Sequence, residues 1–165
     1  MNLIKTFRSL VLVLAFVVSN LAFAGGKFPV GPAPSVTPGE LCADSPARRY
    51  PENIVYCERN VDTQLKNEII KIYDETFGYS IRQMNRGDFK IDHFIPLSIG
   101  GSNSIGNLWP QHKSVYGVTD DLEQLLFDKI SQGKIKQDDA IRIIREGKLN
   151  LERVPELINY VDGLN

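Results

Sequence analysis

The chain contains two histidines, His93 and His112, and both fall in one short block with the other residues able to do chemistry. The block places Asp92 directly before His93, continues through Pro96 to the pair Gly100-Gly101, and ends on Asn107-Leu-Trp-Pro-Gln111. A carboxylate and an imidazole side by side, with an amide behind them, can hold a divalent cation and activate a water beside it. The same two residues taken alone have a blander reading, because neighbours on a regular strand point to opposite faces. An Asp-His pair is then a solvated carboxylate and a half-buried imidazole. A Ser-His-Asp hydrolase fits poorly, since Asp92 abuts the imidazole it would have to orient and no nucleophile-elbow motif is present.

Positioning these residues requires a hairpin. Positions 89–95 alternate well enough for a strand, 107–111 form a second short one, and Gly100-Gly101 with Gly106 supply permissive backbone between them. Trp109, flanked by Leu108 and Pro110, reads as core. Upstream, Asp62 caps a helix expected over 62–77 with Leu65, Ile69, Ile72, Tyr73 and Phe77 on its apolar face and Gly78 as its stop. Positions 79–88 read as a polar loop carrying Arg82 and Arg86. Downstream, a helix should begin near Thr119 or Asp120, bury Leu122, Leu125, Leu126 and Ile130, and end at Gly133. Another is expected over about 137–146, with Asp138 and Asp139 as N-terminal charges and Gly147 as its stop, and a short last helix over 155–160. These elements make an α+β domain with few strands.

The N-terminus carries Lys5 and Arg8, an apolar run over 10–18, and Ala22-Phe23-Ala24. That order reads as a signal peptide over 1–24, cleaved on export to a periplasm or beyond. Residue 25 is Gly rather than Cys, so no lipid anchor is suggested. Positions 25–40, with Pro29, Pro32, Pro34 and Pro38, read as a flexible Pro/Gly-rich leader. The domain proper is 41–165. Of nineteen basic residues two precede position 25, so the remainder carries 17 against 20 acidic residues, a formal charge of −3. This balance does not announce a nucleic-acid binder, whose affinity comes from neutralising phosphates. In an exported chain, Cys42 and Cys57 most simply form one disulfide. Two reduced thiols are the alternative, and a zinc site lacks nearby histidines to complete four ligands.

Asp92-His93-Phe-Ile-Pro-Leu, Gly100-Gly101-Ser-Asn and Asn107-Leu-Trp-Pro-Gln111 together resemble the HNH branch of the ββα-metal endonucleases, over about positions 89–127. Gly39-Glu-Leu-Cys42 through Tyr56-Cys57-Glu-Arg-Asn60 resembles the leader half of exported bacterial members. The resemblance implies a hairpin-plus-helix core with additional flanking helices. It implies His93 as general base, Asp92 as ligand to one Mg²⁺ or Mn²⁺, and Asn107 in a supporting role that holds the loop and helps fix His93. The metal would offset charge on the phosphate and on the departing 3′ oxygen.

The chain departs from the pattern where such enzymes carry a second ligand on the helix after the hairpin. Here that window reads Tyr116-Gly117-Val118, and a basic residue common beyond it is replaced by Thr119. Asp120, Glu123 and His112 are the substitutes available as ligands. Lys90, Lys113, Arg82 and Arg86 are the candidate nucleic-acid contacts, with Arg48, Arg49 and Arg59 as further phosphate candidates. The implied activity is an exported, metal-dependent endonuclease of little sequence preference, acting on DNA more readily than RNA. The alternative is a catalytically degenerate module of the same shape that binds nucleic acid or protein. An inhibitor protein that protects the producer is left open.

Overall fold

Helix α1 (Thr63–Phe77) starts where Asp62 accepts a hydrogen bond from the Leu65 amide at 2.8 Å, and ends where Gly78 turns left-handed at φ 72°. Both boundaries are local, and both match the expected ones. Its buried stripe is rotated slightly from the expected face. Ile69, Ile70 and Tyr73 are buried, while Phe77 is partly exposed beside Tyr73 and Tyr79. The chain is described here by a computed structural model covering residues 26–164. The expected signal peptide at 1–24 lies outside the described residues. Among those residues no helix is long and apolar enough to cross a membrane.

Two short strands, β1 (Arg48–Arg49) and β2 (Ile54–Val55), pair antiparallel before α1. After α1, the polar stretch tightens into 3-10 turns at Ile81–Gln83 and Arg86–Asp88 rather than remaining open loop. Strands β3 (Phe89–His93) and β4 (Leu108–His112) then form the main antiparallel hairpin, with Phe89 opposite His112 and His93 opposite Leu108. Trp109 is fully buried in it. The connection folds back on itself so closely at Gly101 that a Cβ there would be driven into the Ile95 carbonyl oxygen. Only glycine fits.

Helix α2 (Lys113–Ser131) begins directly after β4, earlier than the expected start near Thr119. The His112 imidazole accepts from the Ser114 amide and supplies the cap. Tyr116-Gly117-Val118 therefore lies within the helix rather than ahead of it. Helix α3 (Gln137–Leu149) likewise runs through Gly147 instead of stopping there. Gly147 is a packing residue: an added Cβ would come within 2.7 Å of the Leu122 side chain. Helix α4 (Val154–Asp162) closes the chain.

Leu122, Leu126 and Ile130 of α2 pack with Ile143 and Ile144 of α3 and Val161 of α4 into one apolar core. A second core gathers Ile69 and Tyr73 of α1 against Phe89, Ile91, Leu108 and Trp109 of the hairpin. Helix α2 spans both, since Val115 in its first turn belongs to the second.

The segment expected as a flexible leader is packed onto this frame. Thr37 is buried and shares a 2.7 Å hydrogen bond with the Tyr73 hydroxyl, and its own hydroxyl donates to the Leu108 carbonyl at 3.0 Å. Phe28 stacks on His112 at 3.9 Å, and the Gly39 amide donates to the Gly106 carbonyl. Its prolines remove donors that such a path would otherwise leave unpaired, which a composition argument reads only as looseness. Cys42 and Cys57 form a disulfide that ties this segment to the chain entering α1. By loop-closure entropy, reducing it should lower the unfolding free energy by about 3 kcal/mol. Urea unfolding with and without reductant reads this as a fall in midpoint at unchanged helical circular dichroism.

Candidate functional site

Asp92 and His93 end strand β3, and its alternation sends them to different neighbours. Both are largely buried, at 9% and 4% exposure. Behind them, Asn107 is wholly buried and pairs with Ile95 much as a neighbouring strand would. Its Oδ1 accepts from the Ile95 amide at 2.8 Å, and its Nδ2 donates to the carbonyls of Ile95 and Ser102 at 2.9 Å each. The Phe94 amide donates to the Asn107 carbonyl at 2.7 Å. Asn107 thus holds the chain leaving His93 from inside the loop and reaches no solvent-facing group; it is a positioning residue.

Asp92 faces Lys148, a residue near the end of α3 whose side chain is fully buried. The ammonium donates to Asp92 Oδ2 at 2.9 Å and to the His93 carbonyl at 2.6 Å, and lies 2.7 Å from Glu123 Oε1. Three oxygens, from β3 and α2, converge on one nitrogen. Burial opposes charge on each group, yet the two carboxylates together hold the Lys148 pKa above its ordinary value. Burial is likewise outweighed at Asp92, where Lys148 and Lys90 hold the carboxyl below the usual range. At Glu123 burial wins and the carboxyl is pushed up. Asp92 is the firm anion of the cluster.

His93 faces the other way, toward Arg59 and Asn103. The Asn103 amide is oriented by donating from Nδ2 to the Glu58 carbonyl at 2.7 Å. Its Oδ1 therefore faces His93 Nε2 at 3.1 Å, which makes Nε2 the protonated nitrogen. His93 Nδ1 is left to accept from Arg59 Nη1 at 3.3 Å, while Arg59 Nη2 donates to the Ile91 carbonyl at 3.0 Å. Burial, with the guanidinium alongside, pushes the His93 pKa down to about 4. The ring is neutral at physiological pH, and its lone pair is committed to Arg59. Arg59 is exposed and has further N–H groups to offer an anion.

The remaining expected residues divide clearly. Glu123 joins Asp92 through Lys148, and Asp120 stands nearby, 3.1 Å from Lys90 Nζ, which lies over the Tyr116 ring and 3.8 Å from Asp92 Oδ1. His112 does not belong to this site. It sits at the opposite end of the hairpin, capping α2 and sandwiched against Phe28, so it is not a ligand partner for Asp92. Lys113 pairs with Asp88 at 2.8 Å, Arg82 with Asp74 at 3.0 Å, and Arg86 donates to the Phe89 carbonyl. These three brace the 3-10 turns on the far side of β3.

Sequence reasoning missed Lys148. Its one signal was its place on the apolar stripe of α3, where Ala140 and Ile144 share its face. Asn103 was visible only as part of the Gly100-Gly101-Ser-Asn string.

A divalent metal does not fit this arrangement. Among the described residues no group of three or more His, Cys, Asp or Glu side chains is placed to hold one. The oxygens that converge beside Asp92 already surround an ammonium. Set against family models, curated proteins and solved structures, the chain matches none of them.

The low His93 pKa links stability to pH. Unfolded histidine titrates near 6.5, so between pH 6.5 and about 4 the unfolded chain binds the extra proton and stability falls as pH falls. The full loss from this group is about 3 kcal/mol. Glu123, whose pKa is raised, acts in the opposite sense within part of that window. Urea unfolding of wild type and His93→Gln across pH 4–7 isolates the histidine contribution: the gap between them should narrow as pH drops.

Proposed function

We propose that this chain is a catalytically degenerate ββα-metal module that binds nucleic acid through its hairpin face without hydrolysing it. The observation that carries this reading is Lys148, whose ammonium stands against Asp92, where the resemblance calls for a divalent cation. Two further features support it. The window Tyr116-Gly117-Val118 supplies no ligand from α2, and the His93 lone pair that would take a proton from water is engaged by Arg59.

The resemblance points to nucleic acid as the ligand class. Beside His93 the exposed Arg59 guanidinium is the group able to meet a phosphate, and on the Asp92 side of the strand Lys90, shared with Asp120, is the other. Binding through so few cations of a weakly acidic chain is weak, has a shallow salt dependence of about one power of salt concentration per phosphate contact, and reads little sequence.

A second reading, an active endonuclease, is favoured by one feature: the loop behind His93 is fully assembled around Asn107, as a working site would need. Cleavage of supercoiled plasmid by the oxidised protein separates the two. Under the proposed reading no nicking occurs with Mg²⁺, Mn²⁺ or EDTA. Fluorescence anisotropy at low salt should show binding of short DNA or RNA that weakens roughly tenfold in Arg59→Ala, about the loss of one charge-assisted contact. Metal-dependent nicking abolished by His93→Ala would install the endonuclease instead. Absence of any nucleic-acid binding at low salt would sink both.

A further inference from the structure

We infer that Lys148 is the resident cation of this domain: its ammonium does the work of a bound metal ion, so that the oxygen cage of Asp92, Glu123 and the His93 carbonyl needs none. The inference concerns what holds the cage together, and it stands whether or not the hairpin binds nucleic acid.

The geometry is that of a cation site. One side-chain oxygen from β3, one from α2 and one main-chain oxygen from β3 lie 2.6–2.9 Å from a single point, and that point is Lys148 Nζ. All three donors are oxygens, the donor type of hard cations. The ammonium itself is shut off from water, with the Lys148 side chain fully buried and Asp92 nearly so, while Glu123 borders the surface at 22% side-chain exposure. Two carboxylates brought this close are held by a cation between them or by a proton on one of them, and here Lys148 Nζ occupies the position between. Lys90 cannot supply it alone, because it stands 3.8 Å from Asp92 Oδ1 and is shared with Asp120.

The ammonium also differs from a metal ion in a useful way. It is attached to α3, so it cannot be lost to a chelator or diluted away. It makes the docking of α3 against β3 and α2 the event that neutralises Asp92. An ammonium has no open coordination position and cannot activate a water as a Lewis acid.

Removing the ammonium while keeping the oxygens should uncover a divalent-cation site. The probe is Mn²⁺ alone, without nucleic acid, followed by electron paramagnetic resonance and by thermal unfolding. Wild-type protein is expected to bind no stoichiometric Mn²⁺, and neither Mn²⁺ nor EDTA should move its Tm. Lys148→Ala should bind one Mn²⁺ at least tenfold more tightly than wild type and gain Tm on adding it. Asp92→Asn in the same background should abolish both effects.

Where Lys148→Ala does not fold in EDTA, refolding in Mn²⁺ is the readout, and recovery of the folded state supports the inference. Failure of Mn²⁺ to bind or to rescue folding overturns it. Wild-type protein that takes up one Mn²⁺ in an Asp92-dependent manner overturns it as well. Plasmid cleavage and DNA binding do not enter this test, so the functional reading can fail while the cation assignment stands, and the reverse.

Discussion

One buried positive charge organises the centre of this protein. Lys148 is carried on α3, yet its ammonium is satisfied by oxygens of β3 and α2, so three elements from distant parts of the chain meet at a single nitrogen. Taking an ammonium and a carboxylate out of water is unfavourable by several kcal/mol per ion, and their attraction offsets this only when the remaining hydrogen-bonding capacity is filled. Here two of the ammonium protons are donated to Asp92 and the His93 carbonyl, and Glu123 adds an ion pair at 2.7 Å. Such a cluster adds little net stability. Its effect is on specificity, because any packing that displaces α3 leaves Asp92 buried beside no counter-charge.

The charge also divides the hairpin into two chemically different sides. Asp92 is spent on the interior, where Lys148 keeps it ionised and out of reach of solvent ligands. His93 is turned toward Arg59 and Asn103 and stays neutral because burial and the guanidinium both oppose its protonation. The pair that looked like one reactive unit in sequence is therefore two units in space. One locks the domain together, and the other borders a surface where an exposed arginine can meet an anion. Asn107 serves both by fixing the loop that follows His93.

Much of this was legible locally. Helix α1 was readable from Asp62 to Gly78 because both of its ends are set by side-chain and backbone chemistry within the helix itself. The hairpin was readable from strand alternation and glycine placement, and the disulfide from an even pair of cysteines. Gly147 reads as a helix stop, but glycine ends a helix only where the chain needs a left-handed turn. Gly147 lies inside α3 because Leu122 needs the room, and Leu122 belongs to another helix. His112 drew interest as one of only two histidines, and it turned out to cap α2. The segment 26–39 looked loose by composition, though its burial depends on Tyr73 and the hairpin, which are far away in sequence.

By itself, then, the amino-acid sequence determined an α+β domain, the positions of α1 and the hairpin, the cysteine pair, and the block that carries Asp92, His93 and Asn107. These follow from interactions between residues a few positions apart, or from residue types whose chemistry is unambiguous. Only the tertiary structure decided that Asp92 is paired with Lys148, that Arg59 and Asn103 hold the two nitrogens of His93, and that His112 stands apart from both. Those outcomes depend on which long-range neighbour the fold brings to each buried polar group. That is a question of three-dimensional competition for the same few hydrogen bonds, and no spacing along the chain records its result.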